Sequence, residues 1–141
     1  MILVDVGVWL AATWGRHVHH GVAKQWFDEQ SDDLILCRVT QMSLLRLISN
    51  PAIMGVDVVT RSEAWGVVDQ FWSDSRVLWA EEPDHLVAIF RAISARRDNS
   101  HKLWTDDYLA AFAQASSAVL ATLDTKLKDR YPSVQIAQLA V

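Results

Sequence analysis

One cysteine, three prolines and five glycines in 141 residues rule out several kinds of protein at once. Cys37 has no partner with which to close an intramolecular disulfide, and within LILCRV it reads as a small buried thiol suited to a reducing cytoplasm. So few chain breakers exclude collagenous and low-complexity architectures. Long apolar runs are missing too: charge interrupts each one before the roughly 18 residues that a membrane span needs, and no basic region precedes an apolar signal core. Neither a membrane segment nor export is expected. A basic excess is also lacking, since seventeen acidic residues face thirteen basic ones for a net charge of −4. That argues against a broadly positive nucleic-acid-binding surface. It leaves room for a nuclease built on a divalent cation, because such an ion requires carboxylates and cancels part of their charge where a phosphate approaches.

What is present is an apolar share of 51%, enough for one core in a single domain spanning residues 1–141. The order of elements carries most of the information. ILV at the start reads as a strand, followed by helices around Val8 to Trp14 and Val22 to Gln30, and LILC at 34–37 reads as the second strand. Thr40 opens a helix that Pro51 ends. Thr60-Arg-Ser-Glu63 has capping-box spacing ahead of a buried face made by Ala64, Val67, Val68 and Phe71. RVLWA at 76–80 reads as a strand, Pro83 as the first turn of a helix, and Thr105 as the N-cap of DDYLAAFAQAS. AVLATL at 118–123 and VQIAQL at 134–139 complete the strands. Strands separated by helices of this length imply parallel crossovers, hence a three-layer α/β/α sandwich with a central, mostly parallel sheet.

Ligands of such sheets bind beyond the carboxyl ends of the strands. Asp5 follows the first strand, Asp124 follows AVLATL, and Asp106 lies in the first turn of the helix that feeds that strand. All three are expected at one edge. Each taken alone also suits a helix cap or a turn. Together they would repel one another unless a cation were shared, and hard oxygen ligands with retained waters describe Mg²⁺ or Mn²⁺.

The wording of the chain adds to this pattern. LVDVGVWL, CRVTQMSLLRLISNPAIMG, WTDDYLAAFA and LATLD, in this order across nearly the whole length, resemble the PIN-domain ribonucleases of the VapC toxin type. That resemblance implies a Mg²⁺-dependent endoribonuclease, toxin of a type II toxin–antitoxin pair, restrained by a small VapB-like antitoxin. It assigns the metal-binding and catalytic carboxylates to Asp5, Asp106 and Asp124, leaving Asp107 as a capping or solvated acid. Two departures stand out. Gly7 occupies a place where the family commonly has a polar residue, and Arg46 lies near the place of a glutamate in the helix after the second strand. Glu82 is a candidate replacement ligand.

Arg38 and Arg46 follow the second strand and are candidates for binding RNA phosphates or for structural ion pairs. His17, His19 and His20 lack further zinc ligands nearby and read as a polar loop. Trp65 and Trp72, seven apart beside the apolar face of one helix, suit an interface with a second copy in a homodimer or with an antitoxin helix; Trp9, Trp26 and Trp79 suit the core. Two other readings stay open: a PIN-like module that binds RNA or protein without catalysis, and a phosphatase of the haloacid-dehalogenase type. The latter wants a second aspartate where Gly7 stands.

Overall fold

Five short apolar runs become five strands: β1 (Ile2–Val4), β2 (Leu34–Leu36), β3 (Val77–Trp79), β4 (Val119–Thr122) and β5 (Ile136–Gln138). The computed structural model describes residues 1–141. Every pairing is parallel, in the order β3-β2-β1-β4-β5, so the sheet is wholly rather than mostly parallel. Each strand is only three or four residues long: β1 matches its ILV run, β2 loses Cys37, and β3, β4 and β5 are shorter at both ends than their runs in the sequence. Pairing ends where the chain turns into the next helix, a boundary that hydrophobicity alone does not mark.

Eight α-helices connect the strands: α1 (Val6–Thr13), α2 (His20–Glu29), α3 (Arg38–Ile48), α4 (Pro51–Met54), α5 (Arg61–Phe71), α6 (Leu86–Ser94), α7 (Trp104–Ala115) and α8 (Leu127–Arg130). Alternate residues of the strands divide between two cores. Ile2, Val4, Leu34, Leu36 and Ala121 meet Val8, Trp9, Leu44, Val68 and Phe71 from α1, α3 and α5. Leu3, Ile35 and Leu120 meet Leu86, Leu109, Phe112 and Leu127 from α6, α7 and α8 on the opposite face. Burial on both faces is why the strands read as unbroken apolar runs instead of alternating ones. It also follows from the strand order. From β1 the chain steps outward through β2 to β3, then returns past β1 to β4 and β5; keeping the crossovers right-handed in both directions puts their helices on opposite faces.

Local signals decide three of the eight helix starts. Asp5 caps α1 through its bond to the Val6 amide, and Asn50 caps α4 ahead of Pro51. At α5 both halves of the Thr60–Glu63 capping box are formed. Three starts differ from expectation. α3 begins at Arg38, so Thr40 lies inside its first turn. α6 begins at Leu86, after His85 in the left-handed region (φ 67°), so Pro83 lies in the preceding loop. α7 begins at Trp104, placing Thr105 inside the helix without a capping bond.

Leu120 is fully buried in β4, so Leu120→Ala should lower the unfolding free energy by about 2–5 kcal/mol. Thr60→Ala, which removes one exposed cap, should cost about 1 kcal/mol. Urea unfolding followed by circular dichroism measures both.

Candidate active site

The order of the sheet creates a switch point between β1 and β4, where the chain's direction of travel across the sheet reverses. Asp5 leaves β1 at that point. Its backbone N–H donates to the Ala121 carbonyl at 2.9 Å, carrying the β1–β4 ladder one residue past the strand. One carboxylate oxygen accepts from the Val6 amide at 2.7 Å, and the other from the buried Thr122 hydroxyl at 2.9 Å. Burial pushes the Asp5 carboxyl above its ordinary range; the Thr122 and Val6 bonds act in the opposite sense, and the Asp124 carboxylate adds to the rise.

Thr122 also accepts from the Asp124 amide at 3.0 Å, so one hydroxyl ties the ends of β1 and β4 together. Asp124 takes the Lys126 amide at 2.8 Å. Asp106 comes from the first turn of α7 and accepts from the Arg130 guanidinium of α8 at 3.2 Å. Burial, and after it the Asp5 carboxylate, push Asp106 up to about 6, with Asp124 and Asp107 contributing and Arg130 offsetting part of the rise. Asp5, Asp106 and Asp124 thus lie within one another's electrostatic reach, as their positions after strands and at a helix start imply.

Asp107 is not the capping or solvated acid expected. It is 6% exposed and accepts a short hydrogen bond from the Tyr131 hydroxyl. Burial and the Asp107 carboxylate push the Tyr131 phenol above its ordinary range, keeping it a donor. Adjacent residues on a helix point about 100° apart. Asp106 therefore faces the site while Asp107 anchors α7 to the end of α8.

No three histidine, cysteine, aspartate or glutamate side chains stand close enough together to form a ready-made cage for an ion. Each carboxylate is instead engaged by a protein donor, Asp5 by Thr122 and Val6, Asp106 by Arg130, and Asp124 by Lys126. The donor set nevertheless fits a hard divalent cation. It is all carboxylate oxygen, burial and after it the neighbouring carboxylates push the carboxyls of Asp5 and Asp106 upward, and Arg130 is the one cation bonded among them. An ion that keeps several waters asks for no more than a few such ligands.

The remaining candidates separate. Arg38 opens α3 at the same sheet edge, lies over the Trp79 ring with its guanidinium carbon 4.5 Å from the centroid, and donates to Gln41. Arg46 lies eight residues further along α3, about 12 Å down the helix axis, beside Leu45, Ser49, Arg61 and Trp65. The structure does not bring it to the carboxylates. Glu82 is exposed and accepts from the Tyr108 hydroxyl at 2.9 Å. His17 and His20 bond to neighbouring backbone, His20 against the Ala11 carbonyl at 2.7 Å. Trp65 and Trp72 are exposed, as an interface would require, and Trp79 is half-buried beneath Arg38 instead of sealed in the core. At Gly7 an added Cβ would meet nothing within 4 Å, so its place beside Asp5 is open.

Thr122, Arg130 and Gln41 escaped the sequence reading. Thr122 offered a signal in retrospect, a polar residue inside an otherwise apolar strand that must find a partner once buried. Gln41 is buried one turn into α3. Arg130 gave no local signal, since its partner is twenty-four residues away.

Comparison with known proteins identifies the family of the chain. A PIN-domain family model matches residues 2–131. The chain is 38% identical over 146 residues to Ribonuclease VapC41 of Mycobacterium tuberculosis, with 99% of each chain covered. It is 30% identical over 139 residues to Ribonuclease VapC25 of the same organism, with 96% of each covered. Among solved structures, M. tuberculosis VapC20, a Sarcin-Ricin loop cleaving toxin, superposes with a TM-score of 0.70 at 15% identity over 92% of this chain and 94% of that one. The DNA-bound VapBC complex of Salmonella typhimurium does so with a TM-score of 0.69 at 16% identity, over 97% and 96%. At these identities the superpositions speak to the fold.

The raised Asp106 carboxyl has a definite sign in stability. Its folded-state pKa of about 6 exceeds the ordinary carboxyl value of 3.8, so the folded chain binds this proton more tightly than the unfolded one. That stabilisation is complete below pH 4 and lost as pH rises through 6. Without divalent ions, Asp106→Asn should therefore be more stable than wild type at pH 7, by on the order of 2 kcal/mol given the partial exposure of the site, and the gain should vanish near pH 4. Urea midpoints in chelator across this range measure it.

Proposed function

Because this chain belongs to the PIN-domain family, we propose that it is a metal-dependent endoribonuclease, the toxin of a toxin–antitoxin pair, with Asp5, Asp106 and Asp124 holding Mg²⁺. Full-length relatives are named ribonucleases, which supports the reaction class. The observation that carries the site is the meeting of three carboxylates from three separate segments at the switch point of the sheet, with the carboxyls of Asp5 and Asp106 shifted upward. Solved neighbours include VapBC and FitAB toxin–antitoxin assemblies, some bound to DNA, and an antitoxin is the partner we assign here. No helix is long and apolar enough to cross a membrane; we place the activity in the cytoplasm.

Bound at these carboxylates, Mg²⁺ supplies Lewis-acid charge for the scissile phosphate and activates water at neutral pH. The chain's own residues prepare for that. Thr122 and the Val6 amide fix the two oxygens of Asp5 in one orientation. Arg130 balances part of the Asp106 charge and holds the first turn of α7 against α8. The N-terminus of α7 adds a positive dipole end behind Asp106. Arg38, exposed on the same edge, is the arginine positioned to meet the RNA.

With Mg²⁺ the purified chain should cleave RNA, chelator should stop it, and Asp5→Asn or Asp106→Asn should lower the rate at least about 100-fold while thermal unfolding stays cooperative. Cleavage by either variant at the wild-type rate would sink the assignment. Thr122→Val, which removes only the hydroxyl that orients Asp5, should reduce Mg²⁺ affinity or activity by about 10- to 100-fold. Isothermal titration with Mg²⁺ and Mn²⁺, together with gel-based RNA cleavage, reads out all of these.

A further inference from the structure

Where β2 and β3 end, at the sheet edge from which Asp5 leaves β1, lies a cleft of about 410 Å³ that none of the three aspartates lines. Arg38, Trp79, Glu81, Glu82 and Tyr108 line it. Neighbouring strands are about 4.8 Å apart, so the ends of β2 and β3 lie about 5–10 Å from the end of β1, where Asp5 stands. That is the scale of the step from a phosphate to an adjoining base.

The charges in this cleft are arranged unusually. It holds a guanidinium and two carboxylates, and Arg38 forms a salt bridge with neither glutamate. Arg38 lies over Trp79, with its guanidinium carbon 4.5 Å from the ring centroid, and is anchored by its bond to Gln41. One face of the guanidinium is thus covered by the indole. Each glutamate is held in place through one oxygen: Glu81 Oε1 accepts from the Trp79 indole N–H at 2.9 Å, and Glu82 Oε1 accepts from the Tyr108 hydroxyl at 2.9 Å. Their second oxygens make no hydrogen bond within the chain. Opposite charges held apart by their own anchors leave a slot with a flat cationic floor and acceptor-only walls.

We propose that this slot is a base-binding subsite selective for guanine in the RNA strand, with the base stacked on Arg38 above Trp79 and its Watson–Crick edge read by Glu82. RNA readers commonly stack an unpaired base on an aromatic ring or a guanidinium plane and read that edge by hydrogen bonds. An ionised carboxylate only accepts. Guanine presents two adjacent donors, N1–H and N2–H₂, which match the two oxygens of one carboxylate. Adenine and cytosine each place a ring-nitrogen acceptor beside their amino group, and uracil flanks a single N–H with two carbonyls. Each of these would set an acceptor against the carboxylate, so the same glutamate that attracts guanine rejects the others.

The proposal rests on the ribonuclease reading for its strand but not for its test. In chelator, ¹⁵N–¹H spectra of the full chain should be titrated with 5′-GMP, 5′-AMP, 5′-CMP and 5′-UMP, following the Trp79 indole resonance assigned through Trp79→Phe. GMP should bind at least about tenfold more tightly than the others, in keeping with the discrimination a bidentate base contact provides. Glu82→Gln should remove that preference by weakening GMP and strengthening AMP, because the amide can donate to adenine N1 and accept from its amino group. Arg38→Ala should weaken all four nucleotides alike. Equal affinities, no nucleotide-dependent shift, or a guanine preference that survives Glu82→Gln would each overturn the proposal. Cleavage of RNA oligomers with Mg²⁺ separates the two readings. Guanine-selective binding without any cleavage keeps the subsite and removes the nuclease; cleavage indifferent to guanine beside the cut keeps the nuclease and removes the subsite.

Discussion

Pairing of β1 with β4 is the constraint on which the rest of the molecule hangs. More than a hundred residues separate Leu3 from Leu120, yet they sit side by side at the centre of the sheet. Neither core is complete without this long-range contact, because strand residues of both cores come from these two strands. It also builds the site. The ladder continues into the Asp5–Ala121 bond and the Thr122–Asp5 hydroxyl bond, so the register that packs Leu3 against Leu120 aims a carboxylate at the switch point. A slip of one residue would expose apolar side chains and misplace Asp5 together.

The carboxylates at this edge work against stability. Burial and mutual repulsion raise Asp5 and Asp106, and the arrangement persists because two apolar cores hold the backbone that carries them. Arg130 relieves part of the strain from a short helix that is itself fixed by the Tyr131–Asp107 bond and by buried Leu127. Asp106 and Asp107 thus divide the labour at one helix start, one facing the charge cluster and the other locking the helix that supplies its counter-ion.

The acidic surface of the chain also makes sense in these terms. A protein of net charge −4 does not gather RNA by a broad positive field. In the sites proposed above, recognition falls to local features: a cation at the aspartates, a single arginine over an indole, and carboxylates that accept from a base edge. Such a site depends on shape and hydrogen bonding more than on phosphate neutralisation, and its binding should weaken only gently with salt.

Much of the architecture is legible in the sequence because parallel strands buried on both faces must be short, apolar and separated by amphipathic helices. The runs ILV, LIL and VLAT, the Thr60–Glu63 box and Pro51 each act through neighbours within a few residues, which a sequence displays directly. Asp5, Asp106 and Asp124 are legible for the same reason: their places after strands and at a helix start depend on local element order. What tertiary structure alone decided are contacts between distant segments. Arg130 on Asp106, Thr122 on Asp5, Tyr131 on Asp107 and Arg38 over Trp79 join residues 24 to 117 positions apart or, for the last pair, two neighbouring strands' ends. Arg46 and Glu82 were plausible by position, yet the direction of α3 carries one from the edge and the Tyr108 hydroxyl engages the other. A sequence records which side chains follow which strand; where they point is settled only when helices pack on the sheet and every buried polar group has found its partner.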